Sequence, residues 1–368
     1  MSFAAYRLPL QSHAMVNRRH DEPEVIESID ELNGREGFVI APFAPDSKCP
    51  ILLLGAEWEA VDTDTLCTDE EALSATGDNS AETRKHYHTD FRNFHAQLQE
   101  GRFSKIVLAR SLKINVDKTP DPMALFARAC RMYPRMFVAL FSTSISGTWL
   151  VATPEILLSG TGGEMSTMAL AGTMRLTGKQ LLFDTPKADA ATRQSIVWSE
   201  KNRREQHYVE TYITECIEHF ADDFSKTAPY TTRAGNLVHL RTDIRFRMND
   251  VSRLGDVLEA LHPTPAVCGI PKHLAQEFII GNESVPRRYY SGFSGPISPH
   301  ADTHLYVSLR CMQIAGTEAR LYAGGGLLKE STEEAEWEET EAKTEAMRSL
   351  LTSGTSTEKQ SEEQGETR

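Results

Sequence analysis

The sequence has no excess of positive charge, no long apolar run and no paired-cysteine motif, and each absence removes a class of function. Lys and Arg number 39 against 52 Asp and Glu, a formal net charge of −13. A surface this acidic repels phosphate backbones and anionic headgroups, so neither nucleic acid nor a membrane is an expected partner. No apolar stretch approaches the ~20 residues of a membrane span, and residues 1–20 carry no apolar core long enough for a signal peptide. Cytoplasmic residence is the expectation. The six cysteines (Cys49, Cys67, Cys130, Cys216, Cys268, Cys311) form no CxxC and have no histidine at zinc spacing, and the 12 histidines form no HExxH motif. Buried reduced thiols are expected, and any metal would be held by carboxylates. Phosphate-cradling GxGxxG and GxxxxGK[ST] motifs and the GxSxG elbow are missing too.

What remains is a chain of 368 residues, 40% hydrophobic and 25% charged, the balance of a globular protein with one large core or two domains. Strand-like pieces open it (Gly37–Ala41, Ile51–Leu54). Residues 62–86 are polar and read as a loop or linker. Phe91, Phe94, His95 and Leu98 recur at helical spacing, with Gly101 where a helix end favours glycine. The runs Phe103–Val116, Phe137–Phe141 and Thr148–Gly160 are β-rich. Ser195–Phe220 reads as a helix with Val209, Tyr212/Ile213, Cys216 and Phe220 on one stripe. Leu305–Ile314 and Ala319–Ala323 read as paired strands, and Trp337–Leu351 as a final helix. Strands flanked by helices indicate α/β or α+β layering. Three regions are expected: 1–85 as the N-terminal part of the sheet core with a variable linker, 86–352 as the catalytic region, and 353–368, which has no hydrophobic residue, as a disordered tail.

The chemistry is carried by ionisable residues at positions the pattern assigns to the interior. Glu339, Lys343, Met347 and Leu350 share one helical stripe. Lys329 to Ala346 also holds eight Glu against two Lys, so a solvated helix start is the competing reading. Glu205 continues the stripe of the earlier helix. Two inward carboxylates from separate helices would suit a hard cation such as Mg²⁺, which takes oxygen ligands and would reverse the field for an anionic substrate. Lys105 alternates with Val107 and Ala109 on one strand face. Either it reaches a solvated edge, or burial fits it to act as a base. Glu155 sits between two apolar strand segments, where a desolvated carboxyl can donate a proton. Gly324, Gly325 and Gly326 follow a strand without a phosphate-binding spacing and read equally well as a turn.

These residues fall within blocks that resemble the chorismate-utilising enzymes, and among them the isochorismate synthases. The blocks are FSKIVLAR (103–110), TPE (153–155), LAGT (170–173), SEKNRRE (199–205), LHPTPAVCGIPK (261–272), the series Glu283, Arg287, Tyr290, Gly292 and Gly295, SLRC (308–311), YAGGG (322–326) and EWEETEAK (336–343). Nine blocks in one order cover about Phe103 to Leu351. The first 85 residues match poorly.

The resemblance implies the chorismate-binding fold, two packed and mostly antiparallel sheets with helices outside. It implies Mg²⁺-dependent, reversible conversion of chorismate to isochorismate, feeding menaquinone or catechol siderophore synthesis. Lys105 resembles the base that activates water for attack at ring carbon 2, and Glu155 the acid that protonates the departing carbon-4 hydroxyl. Glu205 and Glu339, with Glu336 beside them, match the metal ligands. Tyr290, Arg310, Lys343 and the backbone at Gly324 match the groups that bind the substrate carboxylates. Gly172, Thr173, Ala266 and Val267 match the wall that positions the ring.

Anthranilate synthases typically lack the lysine at 105, and aminodeoxychorismate synthases often carry a lysine where this chain has Ala171, so water is the expected nucleophile. Salicylate synthases, which go on to eliminate pyruvate, share the lysine and are the nearest alternative; His262–Ala266 favours isochorismate synthase. A chorismate-binding subunit without activity would require degraded acid, base or metal positions. Gln206 and Asn202 depart from the residues common beside the metal-binding Glu, and Leu176–Ala191 is longer than the family pattern. A monomer without an amidotransferase subunit is implied.

Overall fold

The computed structural model describes residues 2–17, 21–55, 57–66 and 73–352; the tail at 353–368 and Cys67 lie outside them. Alternating apolar strands pair into two ten-stranded sheets, and every described pairing is antiparallel. Lys105–Val116, Glu318–Leu327, Cys311–Ala315, Gly147–Thr153 and Phe137–Thr143 are successive neighbours in the first sheet. Leu237–Arg247, Glu164–Arg175, Ile156–Thr161, Asp302–Val307 and Phe293–Ile297 follow one another in the second. Early strands extend both: Phe3–Arg7 pairs with Phe137–Thr143, and Gly37–Ala41 with Phe293–Ile297.

Side chains from both sheets share an aromatic core of Tyr6, Phe38, Phe137, Phe141, Trp149, Tyr290, Tyr306 and Tyr322. Phe137 and Tyr306 stack at 4.3 Å, Tyr290 and Tyr322 at 5.5 Å, arrangements that add to simple area burial. The outer faces are covered by helices. Val209, Ile213 and Ile217 of Glu200–Ile217 pack with Leu254, Val257 and Leu258 against the second sheet. Met347, Leu350 and Leu351 of Glu333–Leu351 pack with Leu125 and Phe126 against the first.

Several sequence expectations need correction. The polar stretch 62–86 holds the strand Ala75–Asp78 and the opening of the helix Ser80–Gln99. That strand is wholly exposed and takes its order from pairing with Lys105–Val116, so hydrophobic pattern could not reveal it. The second long helix spans Glu200–Ile217, not 195–220, because the Ser199 side chain caps it by accepting from the Asn202 amide. Its buried stripe is Glu205, Gln206, Val209, Ile213 and Ile217; Tyr212, Cys216 and Phe220 are only partly buried. The runs Thr148–Gly160 and Leu305–Ile314 are each two strands. Gly147–Thr153 lies in the first sheet and Ile156–Thr161 in the second; Asp302–Val307 lies in the second and Cys311–Ala315 in the first. At these two crossovers, Pro154-Glu155 and Ser308-Leu309-Arg310, the chain passes between sheets. Cys49, Cys130, Cys268 and Cys311 are buried, and Cys216 is partly so.

Candidate active site

The crossovers open a cavity at the seam between the sheets. It is lined by Glu155, Gly172, Thr173, Glu205, Ala266, Val267, Tyr290, Arg310, Gly324 and Lys343, ten of the thirteen residues singled out from the sequence. Lys105 sits behind this wall, and Glu336 and Glu339 flank it on the last helix.

Lys105 opens its strand beside Ile270 and is completely buried, so the solvated-edge reading is wrong. Its Nζ lies 3.1 Å from Glu205 Oε1 yet makes no aligned hydrogen bond among the described residues, so the nitrogen is held beside the cavity without a fixed partner. Glu155 is delivered by the first crossover: Pro154 cannot donate to a sheet ladder, so the strand breaks and the carboxyl enters the cavity. It is buried with no ion-pair partner among the described residues. Burial pushes its pKa up to about 7, and the more distant charges of Lys105, Lys343 and Arg310 pull it down without cancelling that rise. Near neutral pH a large share of the molecules therefore carry on Glu155 a proton that it can give away.

The lysines around the cavity come paired with carboxylates. Lys343 Nζ is 2.7 Å from Glu339 Oε1 and donates to the Gly324 carbonyl at 2.8 Å. Lys201 pairs with the buried Glu336. Burial and the Glu339 carboxylate push Glu336 up to about 7, with Lys201 opposing. On the expected stripe Met347 and Leu350 are buried, whereas Glu339 and Lys343 are half-buried at the cavity end of the helix.

The glycine run is no mere turn. It lies inside a strand with ladder partners Ala109, Leu108 and Val107, and its lack of side chains admits its neighbours. A Cβ on Gly324 would stand 2.8 Å from the Tyr290 hydroxyl, and one on Gly325 3.0 Å from Glu336 Oε2 and 3.6 Å from Glu339 Oε1. On Gly326 it would collide with Glu205 Oε1 at 2.0 Å.

Three carboxylates thus rest on two consecutive glycines, and Glu336 Oε2 is buried with no aligned hydrogen bond among the described residues. Among the described residues no three His, Cys, Asp or Glu side chains already converge as a metal cage, and each of the three carboxylates faces a lysine. The donor set is all oxygen, has a free buried acceptor and is cradled by bare backbone, which suits a hard cation such as Mg²⁺.

The other walls are braced. Arg287 and Glu283, both buried, form a close ion pair. Arg287 donates to the Val267 carbonyl at 2.6 Å and the Val107 carbonyl at 2.9 Å, and Glu283 accepts the Ala109 amide at 2.8 Å. Gly172 has φ +67° at a register shift in its strand, a conformation that favours glycine. Asn202 packs against it, and Gln206 donates to the Ala169 carbonyl at 3.0 Å. The two departures from the family pattern therefore fill structural positions beside the wall. Arg310 has no ion pair among the described residues; burial brings it down to about 10, so it stays positive at neutral pH.

Sequence reasoning missed His239 and Gly326, which also line the cavity. His239 stands in the apolar run Leu237–Leu240, and the oddity of a titratable residue there is the same signal that exposed Lys105.

The profile of the family described as "Chorismate binding enzyme" matches residues 53–352. Over 279 residues the chain is 31% identical to the salicylate biosynthesis isochorismate synthase of Pseudomonas aeruginosa, covering 75% of this chain and 57% of that protein. Over 259 residues it is 30% identical to the isochorismate synthase MenF of Escherichia coli, covering 69% and 57%. The chain thus spans under two thirds of the length of these relatives. The solved structure of E. coli MenF, the menaquinone-specific isochorismate synthase, superposes with a TM-score of 0.78 at 22% identity over 96% of this chain and 89% of that one, which establishes a shared fold. Two antiparallel sheets meeting at a cavity, the ordered motif blocks that line it and the family match over 300 residues agree: the chain belongs to the chorismate-binding enzyme family.

Proposed function

We propose that this protein converts chorismate reversibly to isochorismate. The observation that carries the reading is the pairing, at one cavity, of the buried Lys105 amine with the buried, protonated Glu155. The reaction needs both: acting as base, Lys105 takes a proton from the water that attacks ring carbon 2, and Glu155 gives its proton to the carbon-4 hydroxyl, which leaves as water while the double bond shifts. Arg310, Tyr290, Lys343 and the Gly324 backbone receive the substrate's carboxylates, and Gly172, Thr173, Ala266 and Val267 bear on the ring. Glu205 and Glu339, with Glu336, would hold Mg²⁺, which when bound supplies positive charge to a substrate carboxylate.

Ala171, which also lines the cavity, brings no amine nucleophile, and this supports water in that role. The product would feed quinone or catechol synthesis, and a cytoplasmic monomer without an amidotransferase subunit accompanies this reading; no helix among the described residues is long and apolar enough to cross a membrane. The test is to incubate the protein with chorismate and Mg²⁺, with and without ammonium, and to resolve products by chromatography and NMR. A chorismate–isochorismate mixture reaching one ratio from either side is expected. Salicylate with pyruvate would move the protein to the eliminating branch, and an ammonium-dependent aromatic amine would overturn the choice of nucleophile.

A further inference from the structure

We propose that His239 is a positioning residue that aims Arg310 into the cavity and, because it does so as a neutral acceptor, leaves the guanidinium's charge free for an anionic substrate. The inference rests on the substrate reading above.

The imidazole is buried in the strand Leu237–Arg247, opposite Thr173. Its Nδ1 lies 3.1 Å from the Gly172 carbonyl, turned out at the register shift. A carbonyl only accepts, so Nδ1 carries the proton. Nε2 is then a lone pair, and Arg310 Nη2 donates to it at 2.8 Å. One tautomer of the neutral ring satisfies both contacts, and the surroundings enforce neutrality: burial, then the charges of Arg310 and Lys343, hold the His239 pKa well below its usual value. The second hold on Arg310 is also uncharged, the Ala234 carbonyl at 3.2 Å, with the Met136 sulfur at 4.0 Å.

An aspartate or glutamate would aim the guanidinium equally well. It would also neutralise it and compete with the substrate's own carboxylate for the same fork. In a protein of net charge −13, where each cavity lysine already faces a glutamate, Arg310 is the uncompensated cation. His239 further joins the two sides of the cavity, Gly172 on the ring wall and Arg310 on the carboxylate side.

The test separates orientation from mere packing. In His239→Gln the amide oxygen can replace the Nε2 acceptor. In His239→Asn the shorter side chain can still donate to Gly172 but not reach Arg310. His239→Glu keeps an acceptor and adds a negative charge. Chorismate binding is measured by calorimetry on the full chain, KM and kcat are measured alongside, and thermal melting checks that each variant folds. The Gln variant should bind within about threefold of wild type. The Asn and Glu variants should bind roughly ten- to a hundredfold more weakly, the span of one hydrogen bond to a charged group, with KM moving more than kcat. Equal losses for Gln and Asn would reduce His239 to a packing role, and a Glu variant that binds like Gln would overturn the claim that neutrality matters. Wild type that fails to bind chorismate would overturn the substrate reading and this proposal with it; wild-type binding with the wrong order among variants overturns this proposal alone.

Discussion

Replacing Glu155 by Gln should make the protein more stable and inactive at once, with a gain whose size depends on pH in a defined direction. Burial pushes the carboxyl from 4.5 to about 7, which corresponds to roughly 3 kcal/mol between its two protonation states. The folded state prefers the neutral form. Below about pH 4.5 both folded and unfolded chains carry the proton, and the carboxyl costs nothing. As pH rises the unfolded chain releases its proton first, and the folded state is penalised increasingly until about pH 7, above which the full penalty applies. Glutamine is neutral throughout and of similar shape. The stability difference between Glu155→Gln and wild type should therefore be small at pH 4.5 and grow to about 3 kcal/mol by pH 8. Other titrating carboxyls, Glu336 and Glu283 among them, occur in both proteins and largely cancel in the difference. The assay is equilibrium urea unfolding of both proteins, free of metal and substrate, at several pH values, with turnover of chorismate measured in parallel. A stability difference that stays flat between pH 4.5 and 8, or a variant that keeps near-wild-type turnover, would refute the reasoning.

Three further substitutions probe the same constellation. Lys105→Met keeps the length and apolar stem of a wholly buried side chain but removes its amine; turnover should vanish while chorismate binding, followed by calorimetry, persists, and retained turnover would remove Lys105 from the role of base. Gly326→Ala places a methyl 2.0 Å from Glu205 Oε1 and 2.8 Å from Lys105 Cε; displacing those atoms by about 1 Å should cost on the order of a hundredfold in kcat, and an unchanged rate would show that the contact is not needed. Glu283→Ala strands the buried Arg287 guanidinium and frees the Ala109 amide, so urea unfolding should register a loss of about 3–5 kcal/mol; a loss below ~1 kcal/mol would mean that Arg287 finds another partner.

Much of the site was readable because interior charge is expensive. Lys105, Glu155 and Glu205 each broke an apolar pattern, and each is buried at or beside the cavity. What pattern could not give is the path of the chain between the sheets. Glu155 could be seen to separate two apolar strand segments, but Val307 to Cys311 reads as uninterrupted strand. The turn there depends on tertiary contacts: the Ser308 amide donates to the Gly292 carbonyl at 2.8 Å, and Arg310 takes φ +46°, a conformation a non-glycine residue rarely adopts without support from its surroundings. The glycine run was ambiguous for a related reason, since a missing side chain has meaning only once its neighbours are known. Glu336, three residues before Glu339 and seven before Lys343, lies on the same helical stripe and is more deeply buried than Glu339; a stripe read from Glu339 onward leaves out its own first turn.

On the proposed reading, the lysine–carboxylate pairing also dictates how Mg²⁺ and chorismate would affect one another. Lys105 faces Glu205, Lys343 faces Glu339 and Lys201 faces Glu336, so in the empty protein the positive charge is largely cancelled in situ. A divalent cation taken up by these glutamates competes with the lysines for the same oxygens. Lys343 and Lys201 would lose their partners, so the cavity would become more positive both through the ion and through the ammonium groups it frees. A dianion such as chorismate should then bind much better with Mg²⁺ than without it, and by thermodynamic reciprocity Mg²⁺ should bind better in the presence of chorismate by the same factor. Calorimetric titration of each ligand with and without the other measures both factors without reference to turnover. Equal factors well above one are expected, and Lys343→Met, which removes one of the released charges, should shrink them together. Independent binding of the two ligands would mean that the three pairs stay closed when the ion arrives, and the carboxylates on Gly325 and Gly326 would then have to be read as partners of the lysines alone.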